Sequence, residues 1–319
     1  MISCNSGGKR PFLAILHFVI LAFRARPRTR EALEQKCKKG TSSQSEETAF
    51  QEKLIEEGSF FDENDKKWHT KFLYIEKNVE QMQDNCKYVK KHTERFNRKM
   101  SKYPKKDQEK LNEVMRKGLV MGSFKPASEM PHLNKWKKRY IPMNIAFSSK
   151  DSCSVRPTWD CSSTCSPTDK SFNASVLRGP VNLQIHRTML LLRSKKYFNQ
   201  IDLQKGYFNI VTDNRTQSLS RIFIPMKDGK VAYGDLNATL VEFVCVSMVF
   251  GQKAASSSLE VCLKKAGFYF GIDEKIRSML EMLTYCDDLG IISDDLDGLK
   301  YAMEQTETLI KKSNIQSHP

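Results

Sequence analysis

The sequence predicts an α+β fold in which an antiparallel sheet carries a cluster of carboxylates and helices cover one face of the sheet. Helix-forming residues dominate residues 48–118, where Pro104 is the main interruption, and this composition predicts two or three helices. From Leu119 onward the elements become shorter and are separated by Gly and Pro. In this second part, short apolar runs flank Asp287 and Asp288, which predicts a tight β-hairpin.

The predicted hairpin holds its two acids at a fixed point. Its flanks, Met282–Tyr285 and Leu289–Ile292, are mostly apolar, whereas Asp is a turn residue that is depleted inside strands. Asp287 and Asp288 are therefore expected at the tip of the hairpin. A plain solvated turn is the alternative interpretation, because Asp is common in exposed turns. A third acid from another strand is what favours a functional site.

That third acid is Asp202. The segment Lys196–Ile201 alternates as a strand does and Leu203–Ile210 follows, so Asp202 is predicted at the end of a strand. Together with Asp287 and Asp288 it would form an oxygen-ligand site for two divalent ions, Mg²⁺ or Mn²⁺. Two such ions, about 3.5–4 Å apart, can activate a hydroxyl and neutralise charge on a leaving phosphate. The sequence therefore predicts phosphoryl-transfer chemistry.

A helix is predicted directly after the hairpin. Six residues recur there at helical spacing: Leu296, Leu299, Met303, Thr306, Leu309 and Ile310. Asp294 and Asp295 precede them and can cap the N-terminus of the helix. We interpret these two acids, and Asp297, as capping and surface residues rather than metal ligands.

Three segments resemble, in order and spacing, the A, B and C palm motifs of reverse transcriptases. They read Asp-Leu-Gln-Lys-Gly-Tyr at 202–207, Phe-Gly-Gln-Lys-Ala-Ala-Ser at 250–256 and Tyr-Cys-Asp-Asp at 285–288. Upstream, Arg139–Pro142, Arg156–Asp160 and Arg178–Leu183 resemble the fingers segment of LTR-retrotransposon polymerases. The resemblance covers roughly Trp136 to the C-terminus. The BEL/Pao elements are the most similar group. Ty3/gypsy is the second choice, because the first motif is closer to the sequence of that motif in Ty3/gypsy elements.

The resemblance implies a right-hand polymerase fold, with palm and fingers, preceded by a basic helical region. It also implies that Asp202 and Asp287 are the principal metal ligands and that Asp288 helps to place the metals or the primer end. Tyr207 would lie under the sugar of the incoming nucleotide and select deoxynucleotides. The alternative for Tyr207 is an ordinary aromatic residue of the core.

Four further residues are expected to lie at the nucleotide or at the template–primer. The resemblance places Arg156 at the triphosphate, a role that suits its planar fork of donors, and Lys150 is a second candidate. Either cation could instead be an ordinary surface charge. Phe250 and Gly251 would form a turn close to the template–primer and the nucleotide, since glycine permits close approach of the backbone.

The implied activity is template-directed DNA synthesis by two-metal nucleotidyl transfer. Its partners would be an RNA or DNA template with primer, dNTPs and other parts of a retrotransposon polyprotein. Ser256 departs from the family, which usually has Pro there, and the sequence stops where the thumb and ribonuclease H would follow. The alternative is therefore a truncated, inactive remnant that only binds nucleic acid through its basic region.

Charge supports a nucleic-acid partner under either alternative. The chain of 319 residues carries a net charge of +15, and residues 84–140 hold 17 Lys and Arg against 6 Asp and Glu. Trp136 and Tyr140 lie among these cations, a combination of stacking surface and positive charge that is typical of nucleic-acid grooves. A solvated helical face is the other interpretation of this segment.

We divide the chain into residues 1–47, a leader of uncertain status, residues 48–118, the basic helical region, and residues 119–319, the fingers and palm. The leader holds an apolar run at 12–23 that is too short to span a bilayer, so we expect no stable membrane association. The run is similar to a signal-peptide core, but Arg24 follows it and no clean cleavage site appears.

The spacing of the cysteines and histidines argues against a zinc-binding protein and against a nucleophilic hydrolase. The nine cysteines form no pair of Cys-x-x-Cys units, and Cys161 and Cys165 lack matching partners for a zinc site. We therefore expect reduced thiols and an intracellular protein, in cytoplasm or nucleus. The six histidines show neither triad nor metal spacing, which leaves a nucleophilic hydrolase without support.

Overall fold

The computed structural model describes residues 43–147, 155–179, 185–204 and 206–317. The described residues from Ala49 onward belong to one compact unit. The apolar run at 12–23, the candidate Lys150 and Lys205 of the first motif lie outside the described residues, as do residues 180–183 of the fingers segment.

Helices and mainly antiparallel sheets alternate along the chain, which is compatible with the predicted α+β class. The α-helices are α1 (Ser43–Glu57), α2 (Glu76–Glu80), α3 (Cys86–Met100), α4 (Lys105–Val120), α5 (Phe172–Ser175), α6 (Ile185–Ser194), α7 (Asn214–Ser218), α8 (Ala255–Tyr269), α9 (Glu274–Leu283) and α10 (Leu296–Lys312). Short 3₁₀ helices lie at Ala127–Glu129, Pro131–Lys135 and Gly206–Asn209.

The strands of the described residues form four small sheets. Their bounds are β1 (Phe60–Asp62), β2 (Lys67–Thr70), β3 (Phe124–Pro126), β4 (Met143–Phe147), β5 (Val155–Trp159), β6 (Tyr197–Gln204), β7 (Ile210–Thr212), β8 (Arg221–Lys227), β9 (Lys230–Val231), β10 (Thr239–Cys245), β11 (Thr284–Tyr285), β12 (Asp288–Ser293) and β13 (Gln316–Ser317). The sheet orders are β1-β2-β7, β3-β10-β8-β9, β11-β12-β6-β13 and β4-β5. The third of these sheets carries the candidate acids.

One face of this sheet is buried. Four aliphatic side chains fill the core from its two central strands: Ile201, Leu203, Leu289 and Ile291. Side chains alternate along a strand, so the residues between these four lie on the opposite face. Asp202 is exposed on that opposite face. Helices α9 and α10 pack against β12.

The predicted helix after the hairpin is confirmed as α10. It begins at Leu296, and the side chain of Asp295 accepts a hydrogen bond from the Gly298 N–H as its N-cap. The carboxylate of Asp294 pairs with Lys195 on the surface. Both acids therefore act as the sequence indicated, one as a cap and one as a surface residue.

The structure differs from the sequence prediction at two places. Strand β6 does not end at Asp202 but continues to Gln204, because Leu203 and Gln204 pair with β13 near the C-terminus. In the region expected to be helical, β1 and β2 form a hairpin, and Trp68 of β2 pairs in parallel with Ile210 of β7. Burial of Trp68 against the rest of the core outweighs the helix-forming composition around it.

Within the described part of the chain, no helix is both long enough and apolar enough to cross a membrane.

Candidate functional site

The sheet brings Asp202 and Asp288 face to face. They are direct partners in the antiparallel ladder between β6 and β12. Directly opposite residues in such a ladder project their side chains from the same face, with Cβ atoms about 4.5–5.5 Å apart. The two carboxylates therefore share the open face of the sheet.

Asp287 lies in the turn that joins β11 to β12. The turn is two residues long, and Cys286 within it adopts a left-handed conformation with φ of 56°. The carbonyl of Asp287 accepts a hydrogen bond of 2.8 Å from the Leu203 N–H, which attaches the turn to β6 beside Asp202. The Asp pair is thus divided between turn and strand.

The charges of both neighbouring acids act on Asp288. Burial raises the pKa of its carboxyl group, a hydrogen bond from the Gln200 side chain lowers it, and the charges of Asp287 and Asp202 raise it further. The ionised form of Asp288 is therefore opposed by its two acidic neighbours. A cation at this position would remove that repulsion, which is the electrostatic condition for a metal site.

The donor atoms of these acids are suitable for hard divalent cations, which take carboxylate oxygens. Asp202 is exposed, and Asp287 and Asp288 are partly buried, so each carboxylate remains accessible. Their oxygens do not all lie within 4.8 Å of one another. In this structure the three acids therefore do not form a compact ligand set for a single ion.

A second group of acids, with one histidine, does have all its donor atoms within 4.8 Å of one another. Among the described residues, this group consists of Asp62, Asp65 and His69. The His69 Nε2 lies 2.9 Å from the Asp65 carboxylate, so a histidine–aspartate pair accounts for their closeness. This group is on the β1–β2 hairpin and did not emerge from the sequence.

Tyr207 and Phe250 come together next to the turn. Their rings are perpendicular, with centroids 4.8 Å apart. Tyr207 is only 6% exposed, whereas Phe250 is 40% exposed and forms the accessible ring of the pair. Burial, followed by the charge of Cys286 and a hydrogen bond with its side chain, raises the pKa of the Tyr207 hydroxyl. The Tyr207 ring thus lies between Phe250 and the hairpin turn.

Gly251 is explained by packing inside the protein. Its φ is 102°, and a Cβ atom at this position would lie 2.2 Å from the carbonyl oxygen of Trp159. The Asn173 side chain donates a hydrogen bond of 2.8 Å to the Gly251 carbonyl. The glycine therefore lets this turn approach the end of β5, which is a reason other than the ligand approach expected from the sequence.

Arg156 lies on that same strand. It is exposed, opposite Ala146 in the β4–β5 hairpin, while Val155 and Trp159 are buried. Arg156 and Trp159 are three residues apart, or about 10 Å along the strand. The structure thus links Arg156 to the Phe250–Gly251 turn through β5.

Two residues of this region were missed in the sequence. Gln200 donates a hydrogen bond to the Asp288 carboxylate. The sequence could have indicated this residue, because Gln200 precedes Asp202 by two positions in the same strand and therefore lies on the same face of the sheet. The sequence carries no such indication for Glu260 in α8. Burial raises the pKa of Glu260 to about 7, although a hydrogen bond from the Cys286 backbone lowers it and the Glu52 charge raises it. Glu260 therefore lies behind the hairpin turn.

The sequence was compared with models of protein families and with curated proteins, and neither comparison gives a match. The site is consequently defined by its geometry alone: two acids opposed across a ladder, a third in the adjoining turn, and an aromatic pair beside them.

Proposed function

We propose that this chain comprises the fingers and palm of a reverse transcriptase from an LTR retrotransposon and performs template-directed DNA synthesis. The observation that carries the proposal is the ladder pairing of Asp202 with Asp288, with Asp287 in the adjoining turn. The first and third polymerase-like motifs are far apart in sequence, and a site built from both requires this pairing. The clade, BEL/Pao or Ty3/gypsy, belongs to the proposal as well.

Each acid has a distinct role in the proposed reaction. Asp202 and Asp287 would hold two Mg²⁺ or Mn²⁺ ions, and Asp288 would orient the metals or the primer end. When bound, such ions activate the primer hydroxyl and neutralise charge on the phosphates. The chain itself supplies a rigid ladder that fixes the distance between the carboxylates, which favours a reproducible geometry of the reacting groups.

The aromatic pair and Arg156 would bind the nucleotide. Phe250 offers the exposed ring, and Tyr207 supports it from below. Selection against a ribose hydroxyl would then depend on the position that Tyr207 gives to Phe250 as well as on the Tyr207 ring itself. Arg156 is exposed and its guanidinium is suited to a triphosphate.

The exposed side of α3 supports a nucleic-acid partner. Six cations lie on it, with Glu94 as the one acid of the helix: Lys87, Lys90, Lys91, Arg95, Arg98 and Lys99. The opposite side of the helix is buried through Val89, Phe96 and Met100. A helix with this distribution anchors in the protein and presents its charge outward, where phosphates can bind.

The same basic face supports the alternative, a remnant that binds nucleic acid without synthesis. Its charge does not depend on the acids of the hairpin. The hydrogen bond from Gln200 also gives the Asp288 side chain a partner within the protein that does not require a metal. Binding and synthesis therefore have to be measured separately.

Primer extension tests the proposal. The full chain is incubated with poly(rA)/oligo(dT), dTTP and Mg²⁺ or Mn²⁺, beside the Asp287→Asn, Asp288→Asn double variant. The matched control is Asp294→Asn with Asp297→Asn, which removes two exposed acids just after the hairpin. We expect the control to extend the primer and the hairpin variant to lose activity.

Template binding, measured by fluorescence anisotropy with the same preparations, separates the two functions. Salt-sensitive binding without extension in the unmodified chain would establish the binding-only remnant. Extension that survives in the hairpin double variant would contradict the assignment of the acids.

A further inference from the structure

The Gln200 side chain is bonded to a candidate acid on the neighbouring strand. Its Nε2 donates to Oδ1 of Asp288 at 2.5 Å. A carboxylate can only accept hydrogen bonds, so the amide nitrogen rather than the amide oxygen must face it. The hydrogen bond therefore fixes both partners: it selects one orientation of the amide and one rotamer of Asp288.

The ladder explains why Gln200 can reach Asp288. The direct partner of Gln200 is Gly290, and Asp288 is two residues before it on the same face of the sheet. Diagonal neighbours of this kind are about 7–8 Å apart at the backbone, within reach of a long side chain. Gly290 carries no side chain that could block the path. Glutamine opposite glycine thus leaves the amide free to cross toward the acid.

The hydrogen bond occupies Oδ1 of Asp288, and the second oxygen of this carboxylate does not take part in it. We propose that Gln200 is a positioning residue for the metal site, which holds the Asp288 carboxylate so that its second oxygen faces Asp202. This inference rests on the proposed function, because it assigns the divalent ion as the group for which the carboxylate is oriented. Gln200 itself contacts neither substrate nor metal.

Mn²⁺ affinity tests this role without reliance on activity. Free Mn²⁺ is followed by electron paramagnetic resonance during titration of the full chain and of Gln200→Leu, which keeps the bulk but removes the donor. We expect affinity to fall by about 10-fold or more, the usual effect of removing a residue that orients a ligand. Asn199→Leu is the matched control, since Asn199 is an amide on the same strand whose side chain bonds to Met303 in α10 and to the Gln200 backbone N–H rather than to an acid. The Mn²⁺ affinity of this variant should match that of the parent.

A double-mutant cycle separates positioning from a general structural effect. In the Asp288→Asn background Gln200→Leu should cause no further loss of Mn²⁺ affinity, because the oriented carboxylate is already gone. If Gln200→Leu lowers Mn²⁺ affinity equally in the parent and in the Asp288→Asn background, Gln200 is not a positioning residue for Asp288. If Gln200→Leu does not fold, Gln200→Asn, whose amide is one methylene too short, replaces it and is expected to lose affinity equally.

The outcomes also separate this inference from the proposed function. Parent protein that binds Mn²⁺ in an Asp202-dependent way, with unchanged affinity in Gln200→Leu, would overturn the positioning role alone. Parent protein without Asp202-dependent binding of Mn²⁺ would overturn the metal site and the positioning role together.

Discussion

The Gly251 backbone lies against the carbonyl oxygen of Trp159 so closely that a methyl group on Gly251 would come within 2.2 Å of it. This approach connects the turn that carries Phe250 to strand β5, which carries Arg156. The positions of Phe250 and Arg156, two of the candidate nucleotide-binding residues, therefore both depend on this glycine. The geometry of that glycine leads to the first prediction.

We expect Gly251→Ala to reduce the free energy of unfolding by about 3 kcal/mol, from the left-handed backbone and the displacement of Trp159. Gly229→Ala is the matched control, because Gly229 also has positive φ but no atom within 4 Å of the added methyl. Its cost should be about 1 kcal/mol. Urea denaturation measures both, and equal costs would contradict the close approach.

The second prediction concerns pH and Glu260. Its pKa is raised from 4.5 to about 7 by burial, so the folded protein holds this proton more tightly than the unfolded chain does. The contribution of Glu260 to stability is then greatest below about pH 4.5, falls as the pH rises and levels off above about pH 7. Glu260→Gln removes this decline and should be more stable than the parent at pH 8, by up to about 3 kcal/mol.

Thermal or urea unfolding at pH 5 and pH 8 checks this expectation. Near pH 5 the variant and the parent should differ little. Glu281→Gln is the control, since Glu281 is an exposed acid of α9 that lines the same cavity as Glu260. A stabilisation that is independent of pH would show that the charge of Glu260 is not its cause.

A third prediction concerns sugar selection. Tyr207→Ala should raise the ratio of ribonucleotide to deoxynucleotide incorporation by about 10-fold or more, since it removes the ring that fills the space next to Phe250. Tyr207→Phe keeps the ring and removes the hydroxyl group near Cys286, so it should retain the selection. Single-nucleotide extension with each triphosphate measures the ratio. If Tyr207→Phe relaxes selection as far as Tyr207→Ala does, the ring is not the determinant.

The fourth prediction addresses the basic face of α3. Lys90→Glu with Lys91→Glu should weaken template binding and flatten the dependence of log affinity on log salt by about 0.9 for each phosphate that the helix no longer neutralises. Lys311→Glu with Lys312→Glu, at the C-terminal end of α10, makes the same change of charge on another exposed surface. Anisotropy titrations at several salt concentrations compare them. Equal weakening by both pairs would indicate a general effect of net charge.

The local parts of the site followed from sequence. The hairpin at Asp287 and Asp288 was predictable because turn chemistry and flanking apolar runs act within a few residues. Helix α10 was predictable for the same reason, with Asp295 as its cap. The pairing with Asp202 was implied by the resemblance to polymerase motifs, since alternation alone does not choose partners for a strand.

Parts that depend on distant residues did not follow. The continuation of β6 to Gln204 depends on pairing with Gln316, and the place of Glu260 behind Cys286 depends on packing between α8 and the hairpin. Neither interaction leaves a periodic signal. The β1–β2 hairpin was hidden by its charged loop, whose composition is similar to that of an exposed helix.

The parallel pairing of β2 with β7 has a consequence for biosynthesis. Trp68, which is 1% exposed in the folded protein, reaches its partner Ile210 only after more than a hundred further residues have been made. Non-local pairings of this kind fold slowly and leave apolar surface exposed in the meantime. A nascent chain that ends before β7 therefore lacks the strand that pairs with β2 at Trp68, and this unpaired edge is a template for pairing with another chain.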